Sequence, residues 1–264
     1  SGSTLNMYTS RIENNLSGGL YVQSEAVITA YNSSISGNIN ADGSGGGMSS
    51  SGIVTLVNST LSGNRVGFVG GAIVSSGTLN LYNVTIAQNT AGTSGISGSS
   101  GGISIVGGTA VLRNSIVADN VLETSSIVPD CLGTIISEGY NLIENTTGCT
   151  ITGDTTTNIL GLDPMLDILG GNGGGTFTQP LLTGSPAINA GNPGGCRDGN
   201  DNLLTTDQRA YRRNGTCDIG AYEYNSPGPA TATPTLTATA TNTLPPTATP
   251  TPTLTSTPSP TRPA

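Results

Sequence analysis

The side chains able to do acid–base or metal chemistry are almost all carboxylates. The 264 residues include sixteen Asp or Glu and eight Arg, with no His and no Lys. The absence of His removes the commonest general base and metal ligand, and the absence of Lys removes Schiff-base chemistry. Carboxylates, Tyr and Arg remain for acid–base catalysis. A net charge of −8 without a basic run argues against nucleic acid as a partner.

The best sequence candidate for a metal site is a polar loop between two cysteines. Asp198, Asn200 and Asp201 offer closely spaced oxygen ligands of the kind that Ca²⁺ prefers. The loop lacks the complete calcium-loop pattern and a distal Glu, so a plain polar loop is the favoured interpretation. We therefore expect no cofactor, with calcium at this loop as the alternative.

The cysteines and one charged pair are expected to be structural. Four cysteines allow three connectivities, and zinc is poorly supported without His or a C-x-x-C spacing. The favoured, most local pairing is Cys131–Cys149 with Cys196–Cys217. Two disulfides would place the folded chain in an oxidising compartment. Asp207 and Arg209 predict a buried ion pair rather than a catalytic pair.

The elements that position these residues follow from an internal repeat of about 25 residues. Apolar residues alternate within each copy, which indicates strands. A copy cannot bury its inward face alone, but copies stacked at roughly 4.8 Å bury it together. The sequence predicts an all-β fold, a single-stranded right-handed parallel β-helix (a pectate-lyase-like solenoid) over about residues 3–190. The copies are 28–38 (ITAYNSSISGN), 54–64 (VTLVNSTLSGN), 79–89 (LNLYNVTIAQN), 110–120 (AVLRNSIVADN) and a degenerate 5–15 (LNMYTSRIENN).

Each copy closes on an asparagine at a fixed offset from its apolar residues. Asn tolerates the left-handed region and suits a sharp corner between strands. Stacked amides can also satisfy one another along the axis. We therefore predict a ladder along one corner and an inward stack of Leu56, Leu81 and Leu112. The ladder residues are Asn15, Asn38, Asn64, Asn89 and Asn120.

The repeats resemble those of polymorphic outer-membrane proteins and related β-helix surface proteins. Residues 70–73 (GGAI) match the first repeat motif of that family as it stands. Residues 35–38, 61–64 and 86–89 match its second motif, with an aliphatic residue in place of Phe. The resemblance implies a surface-exposed β-helix.

The segment after the repeats resembles the choice-of-anchor Q domain of bacterial surface proteins. It carries, in order, residues 181–191 (LLTGSPAINAG), 204–209 (LTTDQR) and 217–224 (CDIGAYEY). The resemblance implies an exported β-helix end region followed by a linker to an anchor. Asp163-Pro164, with a Gly pair at 170–171, also predicts a helix of one or two turns.

The expected organisation has three parts. Residues 1–125 form regular coils, 126–225 form an end or cap region, and 226–264 form a Thr/Pro-rich disordered tail. The tail is interpreted as a stalk, with an inert tail as the alternative. Because the chain begins at Ser1 and no anchor follows the tail, we expect a processed start or a fragment boundary, and an anchor missing from this chain.

Two functions fit this organisation. The favoured one is a secreted or cell-surface structural or adhesive module of an exported bacterial protein. Such a module would be monomeric, would not insert into a membrane, and would bind carbohydrate or cell-surface components.

The alternative is a carbohydrate-active enzyme, a polysaccharide lyase or hydrolase, on the same scaffold. Its carboxylates look scattered over different coils, no aromatic platform for sugar rings is evident, and no catalytic or metal residues are assigned. The scattered carboxylates are Glu25, Asp42, Asp119 and Glu123.

Overall fold

The chain is all-β throughout the residues that the computed structural model describes, which are 2–92, 99–123 and 129–228. These residues form 22 strands, and none of them lies in a helix. Strands of successive repeats pair in parallel, so the repeats form a stack of coils. This arrangement confirms the all-β, parallel-strand part of the fold prediction.

The strands of the coils form four ladders, to which a complete coil contributes one strand each. Ladder 1 contains β1 (Thr4–Tyr8), β4 (Val27–Tyr31), β8 (Ile53–Val57), β12 (Thr78–Tyr82) and β16 (Thr109–Arg113). Ladder 2 contains β2 (Arg11–Glu13), β5 (Ser34–Ser36), β9 (Thr60–Ser62), β13 (Thr85–Ala87), β17 (Ile116–Ala118), β20 (Leu142–Ile143) and β22 (Ile159–Leu160). Ladder 3 contains β6 (Ile39–Asn40), β10 (Arg65–Val66), β14 (Thr90–Ala91) and β18 (Val121–Leu122). Ladder 4 contains β3 (Leu20–Val22), β7 (Met48–Ser50), β11 (Ile73–Ser75) and β15 (Ile103–Ile105).

A long strand joins two of the ladders. β19 (Cys131–Glu138) pairs with β15 through its first residues and with β16 through its later ones. β21 (Cys149–Asp154) then pairs with β19. Ladders 1 and 4 therefore form one continuous sheet in this part of the stack.

The inward side chains of the long strands form the core. The register aligns Leu56 with Leu81 and Leu81 with Leu112, and each of the three is fully buried. The predicted leucine stack is therefore confirmed. Its alignment follows from the repeat, because copies of equal pattern place equivalent residues at the same height in neighbouring strands.

The chain leaves the parallel ladders after Leu160, earlier than the predicted limit near residue 190. The described residues beyond it make only isolated antiparallel bridges, such as Leu166 with Leu181 and Gly170 with Thr178. The predicted short helix after Asp163 is also wrong. The Asp163 carboxylate accepts the N–H of Met165 at 2.6 Å, and Met165 has φ of 53°, which a right-handed helix does not allow.

Residues 161–225, called here the C-terminal segment, pack along the side of the stack. They follow the corner between ladders 1 and 2, where Thr60 Oγ1 donates to Gln208 Oε1 at 2.6 Å. The described residues belong to one compact unit. The expected disordered tail lies outside the described residues from 229 onward. None of the residues that can be described belongs to a helix long and apolar enough to cross a membrane.

Candidate functional site

The corner between ladders 1 and 2 is built from asparagines in the left-handed region. Asn32, Asn58, Asn83 and Asn114 have φ between 45° and 57°. Asn tolerates this conformation at low cost, so each turns the chain from a long strand into a short one. These positions recur at a constant distance before the ladder asparagines, which was the available sequence signal for them.

Three of these corner asparagines hold the C-terminal segment. Asn58 Nδ2 donates to the Thr206 carbonyl at 2.9 Å, and Asn83 Nδ2 donates to the Arg197 carbonyl at 2.8 Å. Asn114 Nδ2 donates to the Asp218 carbonyl at 2.9 Å. The corner therefore presents a row of side-chain amide donors, and backbone carbonyl groups of the C-terminal segment accept their hydrogen bonds.

The structure brings the five ladder asparagines into one row. From Asn15 to Asn89, each side-chain amide donates to the Oδ1 of the next asparagine at 2.8–2.9 Å. The same oxygen accepts the backbone N–H of the previous asparagine at 3.0–3.1 Å. The four members from Asn38 onward are at most 1% exposed.

The row ends on a carboxylate that the sequence pattern did not indicate. Asn120 Nδ2 donates to Asp130 Oδ1 at 2.9 Å, and the Asn145 N–H donates to Asp130 Oδ2 at 2.8 Å. Burial raises the pKa of Asp130 to about 7, although these hydrogen bonds favour its charged form. Asp130 is thus a buried, titratable end to a neutral row.

Beside Asp130 lies an acidic pocket of about 480 Å³. Oxygen atoms of Asp119, Glu144 and Asp163 lie within 4.8 Å of one another there. Asp119 was expected to be one of several carboxylates scattered over different coils. Glu144 from the next coil lies beside it, however, and accepts the Asp119 N–H at 2.9 Å. Burial, with Glu144 and Asp163 nearby, raises the pKa of Asp119 to about 6. Such a group can hold a proton near neutral pH, and the cluster has the oxygen ligands of a divalent-cation site.

In the loop considered for calcium, Asp198 accepts hydrogen bonds from the loop itself. Asp198 Oδ1 accepts the N–H groups of Asn200 and Asn202, both at 2.9 Å. Asp201 lies 3.4 Å from Arg113 and 3.6 Å from Arg197 in ion pairs. Asp198 therefore stabilises a turn, and Asp201 attaches this part of the C-terminal segment to ladder 1.

The remaining sequence candidates hold the molecule together. Disulfides join Cys131 to Cys149 and Cys196 to Cys217.

Arg209 Nη2 lies 2.7 Å from Asp207 Oδ2, and both residues are buried. A second buried pair, Arg213 with Glu223 at 3.1 Å, was not expected from the sequence. The Arg209 guanidinium also lies over the rings of Tyr211 and Tyr222, at 4.1 and 3.5 Å from their centroids.

The outer face of ladder 1 carries aromatic residues that the sequence reading did not bring together. The strand register places Tyr8, Tyr31 and Tyr82 in one row, interrupted by Val57. The rings of Tyr8 and Tyr31 stack with centroids 5.6 Å apart. A groove of about 220 Å³ lies between Tyr31 and Tyr82. The available signal was a tyrosine at the last position of three of the long strands.

Comparison with known protein families, with curated proteins and with solved structures finds no match for this chain. The features that can support a function are therefore its own. They are the acidic pocket, the outer-face groove, the two disulfides and the rigid stack that carries them.

Proposed function

We propose that the protein is an exported surface module with a structural and adhesive role, built on a right-handed parallel β-helix. The observation that carries the adhesive role is the outer face of ladder 1. There the register repeats polar side chains once per coil, beside a row that holds three tyrosines, along a stack with a hydrogen-bonded interior. A face of this kind offers a rigid, extended surface to a partner.

The handedness follows from a general rule of parallel strands. The chain leaves one strand of ladder 1 and returns to the neighbouring parallel strand through ladders 2, 3 and 4. Connections between parallel strands of one sheet are right-handed in about 98% of cases, because of the twist of the strands. A right-handed coil is therefore the proposed form.

Export is proposed from the disulfides. Structural disulfides persist in oxidising compartments and are rare in the cytosol. The two bonds stabilise the last coils and the C-terminal segment, respectively. The resemblances to polymorphic outer-membrane repeats and to the choice-of-anchor Q domain point the same way. On this proposal the chain is a monomer, and residues 226–264 form the linker towards an anchor.

The test combines thiol labelling with a retention assay. The chain is isolated natively from the cells that produce it, labelled with a thiol reagent without reductant, and coated on beads. We expect no labelled cysteine, and we expect retention of the beads on bacterial or host cell surfaces. Four labelled thiols would contradict export, and beads retained no better than uncoated ones would contradict adhesion.

The acidic pocket supports a second candidate function, hydrolysis or elimination of a polysaccharide. Glycoside hydrolysis uses two carboxyl groups, one protonated as general acid and one ionised. Asp119 has the raised pKa of an acid, and Glu144 is the neighbouring carboxylate. A reducing-sugar assay on polysaccharides would decide between the functions, with Glu144→Gln as the test variant and Glu25→Gln as its control. Sugar release abolished only by Glu144→Gln would establish the enzyme, and no release would leave the adhesive module.

A further inference from the structure

The groove on the outer face of ladder 1 runs parallel to the axis of the stack. Its aromatic side is a row of residues at the last position of each long strand. Neighbouring members of the row are one strand spacing apart, about 4.8 Å. The row contains Tyr8, Tyr31, Val57, Tyr82 and Arg113.

The floor of the groove is a second row, two residues earlier in each strand. At its centre are Thr29, Thr55 and Asn80, all partly exposed. Asn80 Nδ2 donates to Thr55 Oγ1 at 3.3 Å, which leaves other hydrogen-bonding positions of these groups for a ligand. The floor therefore offers neutral donors and acceptors at the spacing of the coils.

The loop at 198–202 closes the groove on one side. Gly199 lies so close to the Tyr82 ring that a Cβ atom at this position would be 2.5 Å from a ring carbon. Asn200 lines the groove beside Gly199. The irregular C-terminal segment thus converts a flat sheet face into a bounded groove, and it places another amide at its edge.

The charged groups around the groove have partners within the protein. The Asp198 carboxylate accepts hydrogen bonds from its own loop. Arg113, at the end of the aromatic row, lies 2.7 Å from Glu138 and 3.4 Å from Asp201. Burial and the nearby Asp198 raise the pKa of the Tyr31 phenol, so the phenol stays protonated at neutral pH. A ligand with a net charge would find no uncompensated partner among the residues that line the groove.

We propose that this groove binds a neutral polysaccharide strand lying along the axis of the stack, an inference that rests on the adhesive function proposed above. A pyranose ring has an apolar face of C–H groups, which packs on the face of the Tyr31 ring that is not stacked on Tyr8. Its hydroxyl groups project from the ring edge towards the amide and hydroxyl groups of Thr55 and Asn80. A repeating polymer matches a site whose polar floor repeats with each coil.

The proposal is tested by affinity electrophoresis of the purified chain in gels containing soluble xylan, galactomannan or mixed-linkage β-glucan. Polygalacturonate serves as the anionic comparison. The test variants are Tyr31→Ala and Asn80→Ala. The matched control is Tyr21→Ala, because Tyr21 is 70% exposed but lies on ladder 4, away from the groove. Thermal unfolding of each variant establishes that it is folded.

We expect retardation by at least one neutral polysaccharide, unaffected by salt, with about a tenfold or greater loss of affinity in both test variants and none in the control. If Tyr31→Ala and Asn80→Ala still bind a neutral polysaccharide, the groove is not the binding site, although the adhesive function stands. Binding of polygalacturonate but of no neutral polysaccharide would also overturn the groove proposal and leave the adhesive function. Retention of coated beads on cells without binding to any polysaccharide would have the same meaning. Loss of both polysaccharide binding and bead retention would overturn both proposals.

Discussion

Replacing Asn64 by Ala removes the central member of the asparagine row. The Asn64 side chain is fully buried and makes four hydrogen bonds. Its Oδ1 accepts the N–H and the Nδ2 of Asn38 at 3.1 and 2.9 Å. Its Nδ2 donates to the Ile35 carbonyl and to Asn89 Oδ1, both at 2.9 Å. Ala replaces none of these bonds, and the space left is too enclosed for bulk water to restore them.

The magnitude follows from the number of bonds lost. At about 0.5–1.5 kcal/mol per hydrogen bond, Asn64→Ala should lower the free energy of unfolding by about 2–6 kcal/mol. Asn15 is the matched control, since it belongs to the same row but is exposed and its side chain donates one bond, to Asn38 Oδ1 at 2.8 Å. Asn15→Ala should therefore cost only about 0.5–1.5 kcal/mol.

Urea denaturation followed by circular dichroism measures both variants. We expect a lower midpoint for Asn64→Ala with little change in the dependence on urea, because the folded surface is the same. A double-mutant cycle with Asn89→Ala should give a coupling energy within about 0.5–3 kcal/mol, since the two amides are bonded directly. Equal effects of Asn64→Ala and Asn15→Ala would refute the idea that the buried row stabilises the stack.

Three further predictions concern the core, a close approach and the buried carboxylate. Leu81→Ala should lower the free energy of unfolding by about 2–5 kcal/mol. Ile53→Ala, at a position 43% exposed, should lower it by well under half as much. Similar denaturation midpoints for the two variants would show that the inward assignment of Leu81 is wrong. Gly47→Ala should destabilise the folded chain by about 1–3 kcal/mol, because the new Cβ would lie 2.7 Å from a backbone carbonyl oxygen of the next coil. Gly170→Ala, which has open space around it, should leave the thermal midpoint nearly unchanged. The pKa of Asp130 is about 7 in the folded chain against an ordinary value of 3.8, so the folded state binds the proton more tightly, and stability should fall as pH rises from about 4 to about 7. Asp130→Asn should remove this part of the pH dependence, and an unchanged slope of midpoint against pH would contradict the assignment.

The repeat made much of the stack predictable. Copies of similar pattern stack in register, so a residue type that recurs in sequence becomes a row in space. The asparagine row and the stack around Leu81 both follow from this rule. The acidic pocket follows it as well, because Asp119 and Glu144 lie one repeat length apart, although the weaker pattern in the last coils hid the relation.

The path of the C-terminal segment was decided only by the tertiary structure. Residues 161–225 have no periodicity, and their local signals misled at Asp163, where a side-chain hydrogen bond to Met165 replaces the first turn of a helix. The segment is held by partners far away in sequence, such as Asn58 with Thr206, 148 residues apart. No local pattern encodes such a pairing, because the corner amides need acceptors but not any particular side chain. Their carbonyl partners become known only when the segment packs along the corner, and the same packing forms the wall of the groove on ladder 1.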